Sequence, residues 1–441
     1  MINALKYRAD PTGNADSHNA IQTAFDIADR LGHRRVYVPP GDYLVSDTLN
    51  IPGGVTLEGE GSNFNDFRTR LKWINEAEAG LNFEGHDICL RGLYLDGDFK
   101  VNRLVQNKGK HCMVVDNCYF KQPVQDGSGS GIWAGGVIYP QIRNSLFNDI
   151  GMARGIDMIE SNWDEDGGYY GGNVGMIEKC LLYCKMASIR FSGTITISDC
   201  SIEGKLGGDN AAIDIGDHSH GNVRILNNYF ELIRHPNGHQ LKAIAFSAVP
   251  GGVTIDGNVI FGAISAPDSI AIDASPYAYQ LNVTDNTIAR WNTGVNLKGP
   301  SQASVFCEKN KFVSVKHLYG GDFSPGSDQQ MFHTRMFSIR DGGGFYNGEH
   351  FVGEFTGGTP ESHAWTRVGP NADGDINLQR GRHFVVEIPK ADGTITASNP
   401  LPGMAFTIHY KVSASFLGEQ FNDNQAVPYV VDVDGEIRRV V

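Results

Sequence analysis

The sequence predicts an all-β fold, a right-handed parallel β-helix with an N-terminal capping helix and a small C-terminal β domain. Three observations predict it. A short apolar–polar pattern recurs at coil-length intervals from residue 88 onward. A second short strand follows each copy and aligns independently of it. An amphipathic segment near the N-terminus is placed to close one end of such a stack.

The recurring pattern is an apolar residue, two polar ones, a small or amide residue, any residue, and an apolar one. It reads LRGLYL at 90–95, VDNCYF at 115–120, IRNSLF at 142–147, IEKCLL at 177–182 and ISDCSI at 197–202. It continues as ILNNYF at 225–230, IDGNVI at 255–260, VTDNTI at 283–288 and CEKNKF at 307–312. The fourth position is held in turn by Leu93, Cys118, Ser145, Cys180, Cys200, Asn228, Asn258, Asn286 and Asn310, at intervals of 20–35 residues. One such coil cannot bury its apolar side alone, so neighbours must stack. The four Asn are expected to form an internal amide ladder. Cys118, Cys180 and Cys200 fill the same slot as small buried thiols. The odd count of seven Cys, with no CxxC pair, argues against a zinc site.

Residues 17–31 place Ile21, Ala24, Phe25, Ala28 and Leu31 on one helical face. Asp16 or Ser17 is positioned to cap the start, and Gly32 to end it. The composition shifts near residue 320, where GGDFSPGSDQQ reads as a linker. The expected organisation is 1–35 as first strand and capping helix, 36–319 as the β-helix, and 320–441 as a β-rich capping or trimerisation domain.

Residues 9–28, ADPTGNADSHNAIQTAFDIA, followed by 36–62, VYVPPGDYLVSDTLNIPGGVTLEGEGS, resemble the opening of pectate-lyase superfamily proteins. That opening is common in bacteriophage tailspikes and capsule depolymerases. The resemblance implies the β-helix, a polysaccharide partner, a homotrimer, and an extracellular or virion-tail location. It does not choose the chemistry, because one fold carries many functions.

The second strand of each coil reads GIWAG, GIDMI, SIRFS, AIDIG, AIAFS, AIDAS and GVNLK. Side chains alternate along a strand, so Ile or Val faces in and the next residue out. The outward column is then Trp133, Asp157, Arg190, Asp214, Ala245, Asp273 and Asn296, with Lys298 on the next outward position. This is either a solvated ladder of opposite charges or a sugar groove. In the second reading Asp157, Asp214, Asp273 and Arg190 are catalytic, and Trp133 stacks on a sugar ring. The insertion at 160–173 adds Trp163, Tyr169 and Tyr170, and the turn after Asp214 adds Asp217, His218 and His220 as substrate-binding candidates.

Hydrolysis needs one carboxyl as acid and one as base. Arg190 opposes protonation of its two neighbours, so Asp273, beside Ala245, is the better acid and Asp214 the base. The leading expectation is therefore a glycoside hydrolase. The alternatives are a polysaccharide lyase, with Arg190 and a calcium ion assisting, and a non-catalytic glycan-binding adhesin. No cofactor is expected for hydrolysis, and no resident metal. The formal charge of −13, with no Lys/Arg cluster, excludes a nucleic-acid partner. No apolar run is long enough to span a membrane, and no secretory signal segment is visible.

Overall fold

The computed structural model describes residues 1–61, 68–124, 129–148, 152, 154–158, 172–184, 187–191, 193–205, 211–216, 222–233, 242–246, 251–262, 268–274, 280–296 and 304–320. Beyond these it describes 331–340, 344–347, 351–352, 366–368, 375–377, 383–386, 394–398, 405–410, 414–417, 419–421, 425–431 and 437–439.

Each coil of the solenoid contributes one strand to each of three parallel ladders. In one coil these are Asn222–Leu226, Tyr229–Ile233 and Lys242–Phe246. The next coil repeats them as Gly252–Asp256, Val259–Phe261 and Ile270–Asp273, each paired in parallel with its counterpart. The third ladder is a separate 11-stranded sheet. Its inward column runs Leu81, Val105, Ile132, Ile156, Ile189, Ile213, Ile244, Ile272 and Val295. All are fully buried. Burying each such side chain contributes about 1.5–3 kcal/mol, and only the neighbouring coils supply the apolar surface to do it.

The turn between the first two ladders has two registers of its own. Asn228, Asn258, Asn286 and Asn310 are buried and stacked. Asn258 Nδ2 donates to Asn286 Oδ1 at 2.9 Å and to the Ile225 carbonyl at 2.9 Å. Its own Oδ1 accepts from the Asn228 backbone N–H at 2.8 Å. Cys118, Cys180 and Cys200 occupy the same slot and are buried, and all seven Cys are free thiols. Burial pushes the Cys118 thiol up to about 12. It also raises Cys180 well above its ordinary value, with the Cys200 thiol adding to the effect. The residue before the anchor is left-handed in every coil: Gly92, Asn117, Asn144, Lys179, Asp199, Asn227, Gly257, Asp285 and Lys309 all have positive φ. This explains why the pattern favours Asn, Asp and Gly there.

The helix His18–Arg30 buries Ile21, Ala24, Phe25 and Ala28 and packs against the strand Leu49–Ile51. Leu31 departs from expectation: it is 60% exposed. It is the C-cap, one residue past the end of the helix at Arg30 and just before Gly32 turns left-handed at φ +64°. The cap also differs in detail. The Ser17 hydroxyl accepts from the Asp10 N–H, and Asp16 Oδ1 accepts from His18 N at 3.0 Å.

Parallel pairing continues past residue 320. Met331–Arg340 pairs with Ser304–Val313 and is flanked by antiparallel strands. Strands between 366 and 439 form a five-stranded and a four-stranded sheet. No helix among the described residues is long and apolar enough to cross a membrane.

Candidate functional site

The site is built on the third sheet. Its backbone register pairs Trp133 with Asp157, Asp157 with Arg190, Arg190 with Asp214, Asp214 with Ala245, Ala245 with Asp273, and Asp273 with Asn296. Adjacent strands lie about 4.8 Å apart, so Asp157 and Asp214 flank Arg190 from consecutive coils on either side. The column extends further toward the N-terminus than the seven-strand alignment reached, through Gln106, Asn82 and Asn50.

Arg190 Nη1 lies 3.6 Å from Asp157 Oδ2, and Arg190 Nε lies 3.7 Å from Asp214 Oδ2. A second cation joins from the start of the same strand: Arg154 Nη1 is 3.4 Å from Asp157 Oδ2. Burial first, and repulsion from Arg190 second, push the Arg154 guanidinium below its ordinary value, against the pull of Asp157 and Asp214. The Nε atoms of both arginines are buried without a hydrogen-bond partner among the described residues.

Strict alternation misses Arg154 because these strands bend. The ladder pairs Ala211 with Lys242 and Ile213 with Ile244 but skips Ala212 and Ala243. From Ser130–Gly135 onward the residue at the bend is small (Gly131, Gly155, Ser188, Ala212, Ala243, Ala271, Gly294), and in Val101–Lys108 it is Leu104. At Gly155 a Cβ would lie 2.7 Å from the Ser188 carbonyl. Two consecutive residues then face inward, and the residue before them swings back to the outer face.

The same bend overturns the assignment of Asp273 as an acid kept apart from cations. Lys242 Nζ lies 2.8 Å from Asp273 Oδ2, and Asn296 Nδ2 donates to Asp273 Oδ1 at 2.9 Å. The neighbour in the column is Ala245, but the cation arrives from three residues earlier on that strand. Trp133 also differs from the open stacking platform expected of it. It is only 9% exposed, and the Arg103 guanidinium lies over its ring, 4.2 Å from the centroid. Trp163, Tyr169, Tyr170, Asp217, His218, His220 and Lys298 lie outside the described residues.

Among the described residues no three His, Cys, Asp or Glu side chains converge as a set able to hold a metal ion. Arg154 and Arg190 stand where a calcium ion shared by Asp157 and Asp214 would have to sit. The donor set does not fit calcium.

Residues 1–77 match the rhamnogalacturonase A/epimerase, pectate lyase-like family model. The match covers the capping helix and the first coils and ends before the charged column. The opening is thus pectate lyase-like, and the chain is a parallel β-helix. Among solved structures, the chain is similar to the A-module of the Azotobacter vinelandii mannuronan C-5 epimerase AlgE4. The identity is 17%, over 74% of this chain and 98% of that one, with a TM-score of 0.49. The Streptococcus pneumoniae surface protein and adhesin PfbA has 15% identity over 73% and 96%, with a TM-score of 0.45. Bacteriophage CBA120 tailspike protein 3 has 12% identity over 100% and 69%, with a TM-score of 0.47. No curated protein matches the chain.

Proposed function

We propose that this chain is a polysaccharide depolymerase that holds its substrate along the third sheet, with Asp157, Arg190 and Asp214 at the reacting centre. Of the chemistries open to that centre, β-elimination at an acidic sugar fits best. One observation carries this choice: Asp157, Asp214 and Asp273 each have a cation within salt-bridge distance. A neighbouring cation favours the ionised carboxylate, the form in which a base begins its step, and disfavours the protonated form in which a proton donor begins. Hydrolysis requires such a donor, and none of the three column acids is set up as one.

Asp214 is the base in this reading. Its side chain is 19% exposed, against 7% for Asp157 and 8% for Asp273, so it is the most open to substrate. It takes the proton from the carbon beside the sugar carboxylate. The electron pair left behind forms a carbon–carbon double bond, and the glycosidic oxygen leaves with its bonding pair and takes up the proton that Asp214 has accepted, which returns the base to its carboxylate form. Arg190 and Arg154 oppose the negative charge that builds on the sugar carboxylate.

Hydrolysis is the second reading, and one observation favours it. Asp157 and Asp214 stand two coils, or about 10 Å, apart along the backbone, near the upper end of the inverting separation. The missing acid would come from the acidic segment 160–166 or from Asp217, which follow the strands Arg154–Met158 and Ala211–Ile215. A panel of acidic and neutral polysaccharides separates the readings. New reducing ends with ultraviolet absorbance of an unsaturated uronate mean elimination. Reducing ends alone mean hydrolysis, and binding without either means an adhesin. The homotrimer and the virion or extracellular setting belong to the same proposal. Light scattering against the 48.1 kDa chain mass checks the first.

A further inference from the structure

We infer that Arg103, Trp133 and Gln106 form a second glycan subsite, one that reads an acidic sugar carboxylate two coils toward the N-terminus from Asp157. The inference rests on the proposed groove but concerns residues outside the reacting centre. Gln106 pairs with Trp133 and Trp133 with Asp157 in the sheet register, so the subsite lies about 10 Å along the same column.

Arg103 is held as a rigid donor. Its guanidinium carbon lies over the Trp133 ring, 4.2 Å from the centroid, a contact that also shields the guanidinium from water on that side. Its Nη1 donates to Gln106 Oε1 at 2.6 Å. Gln106 is only 6% exposed and is fixed in turn, because its Nε2 donates to Asn82 Oδ1 at 3.2 Å and Asn82 Nδ2 donates to Asn50 Oδ1 at 2.9 Å. The amide run thus orients the Gln106 carbonyl toward the guanidinium, and the indole packs against it.

This leaves an unused edge. Arg103 Nε and Nη2 carry no hydrogen bond among the described residues, and the side chain remains 26% exposed. Among the described residues the carboxylate near it is Glu78, which meets Nη1 at 3.2 Å from a side chain that is 57% exposed. A pairing so exposed contributes little and leaves the other edge available. A planar fork of two parallel N–H donors matches the two oxygens of a carboxylate. Because the arginine is already ordered, binding there costs little side-chain entropy. Sulfate esters offer the same anionic oxygens, so the source of the charge is part of the test.

The test uses the full chain with Arg103, Arg103→Ala and Arg103→Lys, each first matched for thermal midpoint. Calorimetry is run with polyuronate oligomers of increasing length, with the same oligomers after carboxyl reduction, and with a sulfated neutral glucan. For long polyuronate oligomers, Arg103→Ala is expected to raise Kd about 10- to 100-fold, the loss of a charge-assisted pair. Arg103→Lys recovers part of the loss, since it keeps the charge without the fork. Carboxyl-reduced oligomers bind wild type and Arg103→Ala alike, and turnover of short oligomers that do not reach the subsite is unchanged.

An unchanged Kd for long polyuronates in Arg103→Ala overturns the subsite while leaving the proposed groove standing. So does an equal loss for carboxyl-reduced oligomers, which would mark a packing effect. A loss confined to the sulfated glucan overturns the carboxylate assignment. A wild-type chain that binds no acidic glycan overturns the groove and the subsite together.

Discussion

Lys179 sits at φ +52°, in a slot that other coils fill with Gly92 and Gly257. An L-residue with a long side chain pays about 1–2 kcal/mol for that conformation, and glycine gives back part of this in chain entropy. Lys179→Gly is therefore expected to stabilise the fold by about 0.5–1 kcal/mol, read as a higher thermal midpoint. Gly257→Ala should do the reverse, because φ is +65° there and a Cβ would stand 2.4 Å from Asn227 Oδ1. A lower midpoint for Lys179→Gly would contradict the strain argument. At the reacting centre, Asp214→Asn keeps size and register but removes the base. Turnover should fall by about 10²–10⁴-fold with the midpoint unchanged; wild-type turnover on a cleaved substrate would move the centre elsewhere. The positions of Asp157, Arg190 and Asp214 were legible because one Ile per coil fixes the register. Arg154 and Lys242 were not, because alternation fails where each strand bends, at Gly155 and Ala243 in these two. The cover over Trp133 was hidden for the same reason: Arg103 lies before the bend, at Leu104, and returns to the outer face.

The anchor turn is the element that locks one coil to the next. Asn258 satisfies the Asn228 N–H below and the Ile225 carbonyl, and bonds to Asn286 above. Asn258→Ala strands at least two buried backbone groups, so it is expected to cost about 3–5 kcal/mol. Asn258→Ser should cost less, since a hydroxyl already serves in this slot where Ser145 Oγ accepts from Cys118 N at 3.2 Å. Equal losses for the two would show that amide volume, rather than hydrogen bonding, is what the slot requires. The thiols in the same slot give an independent reading. Cys118, Cys180 and Cys200 are buried, whereas Cys89 and Cys112 are partly exposed, so native labelling should reach the latter two alone. The anchor column was legible because amide, thiol and hydroxyl recur at one interval. The left-handed residue before it was only half legible, since lysine at 179 and 309 masks the Asn/Asp/Gly preference.

At the scale of the whole stack each coil rests on its neighbours, so a local weakness between two coils is read in global unfolding. The turns after the third-sheet strands supply such a point. His86 Nδ1 accepts from the His111 backbone N–H at 2.9 Å, and His111 Nδ1 accepts from the Ile138 N–H at 3.3 Å. A backbone N–H can only donate, so the His111 ring holds its bond to Ile138 only with Nδ1 unprotonated. The rings face each other at 4.9 Å between centroids, with Lys110, Asp87 and Cys112 as the other titratable groups nearby. Burial first, then the electrostatic effect of the neighbouring His86 ring and of Lys110, lower the His111 pKa. The unfolded chain then binds this proton more readily than the folded one, so stability rises with pH across the interval between the two values. The contribution is complete above the unfolded value of about 6.5 and is lost as pH falls below it. Thermal midpoints measured from about pH 7.5 down to about pH 5.5, above the main carboxylate range, should therefore decline in the wild type. His111→Gln, which does not titrate, should flatten that decline. An identical slope in the two proteins would place the acid sensitivity in other groups and leave the His86–His111 turn a neutral contact.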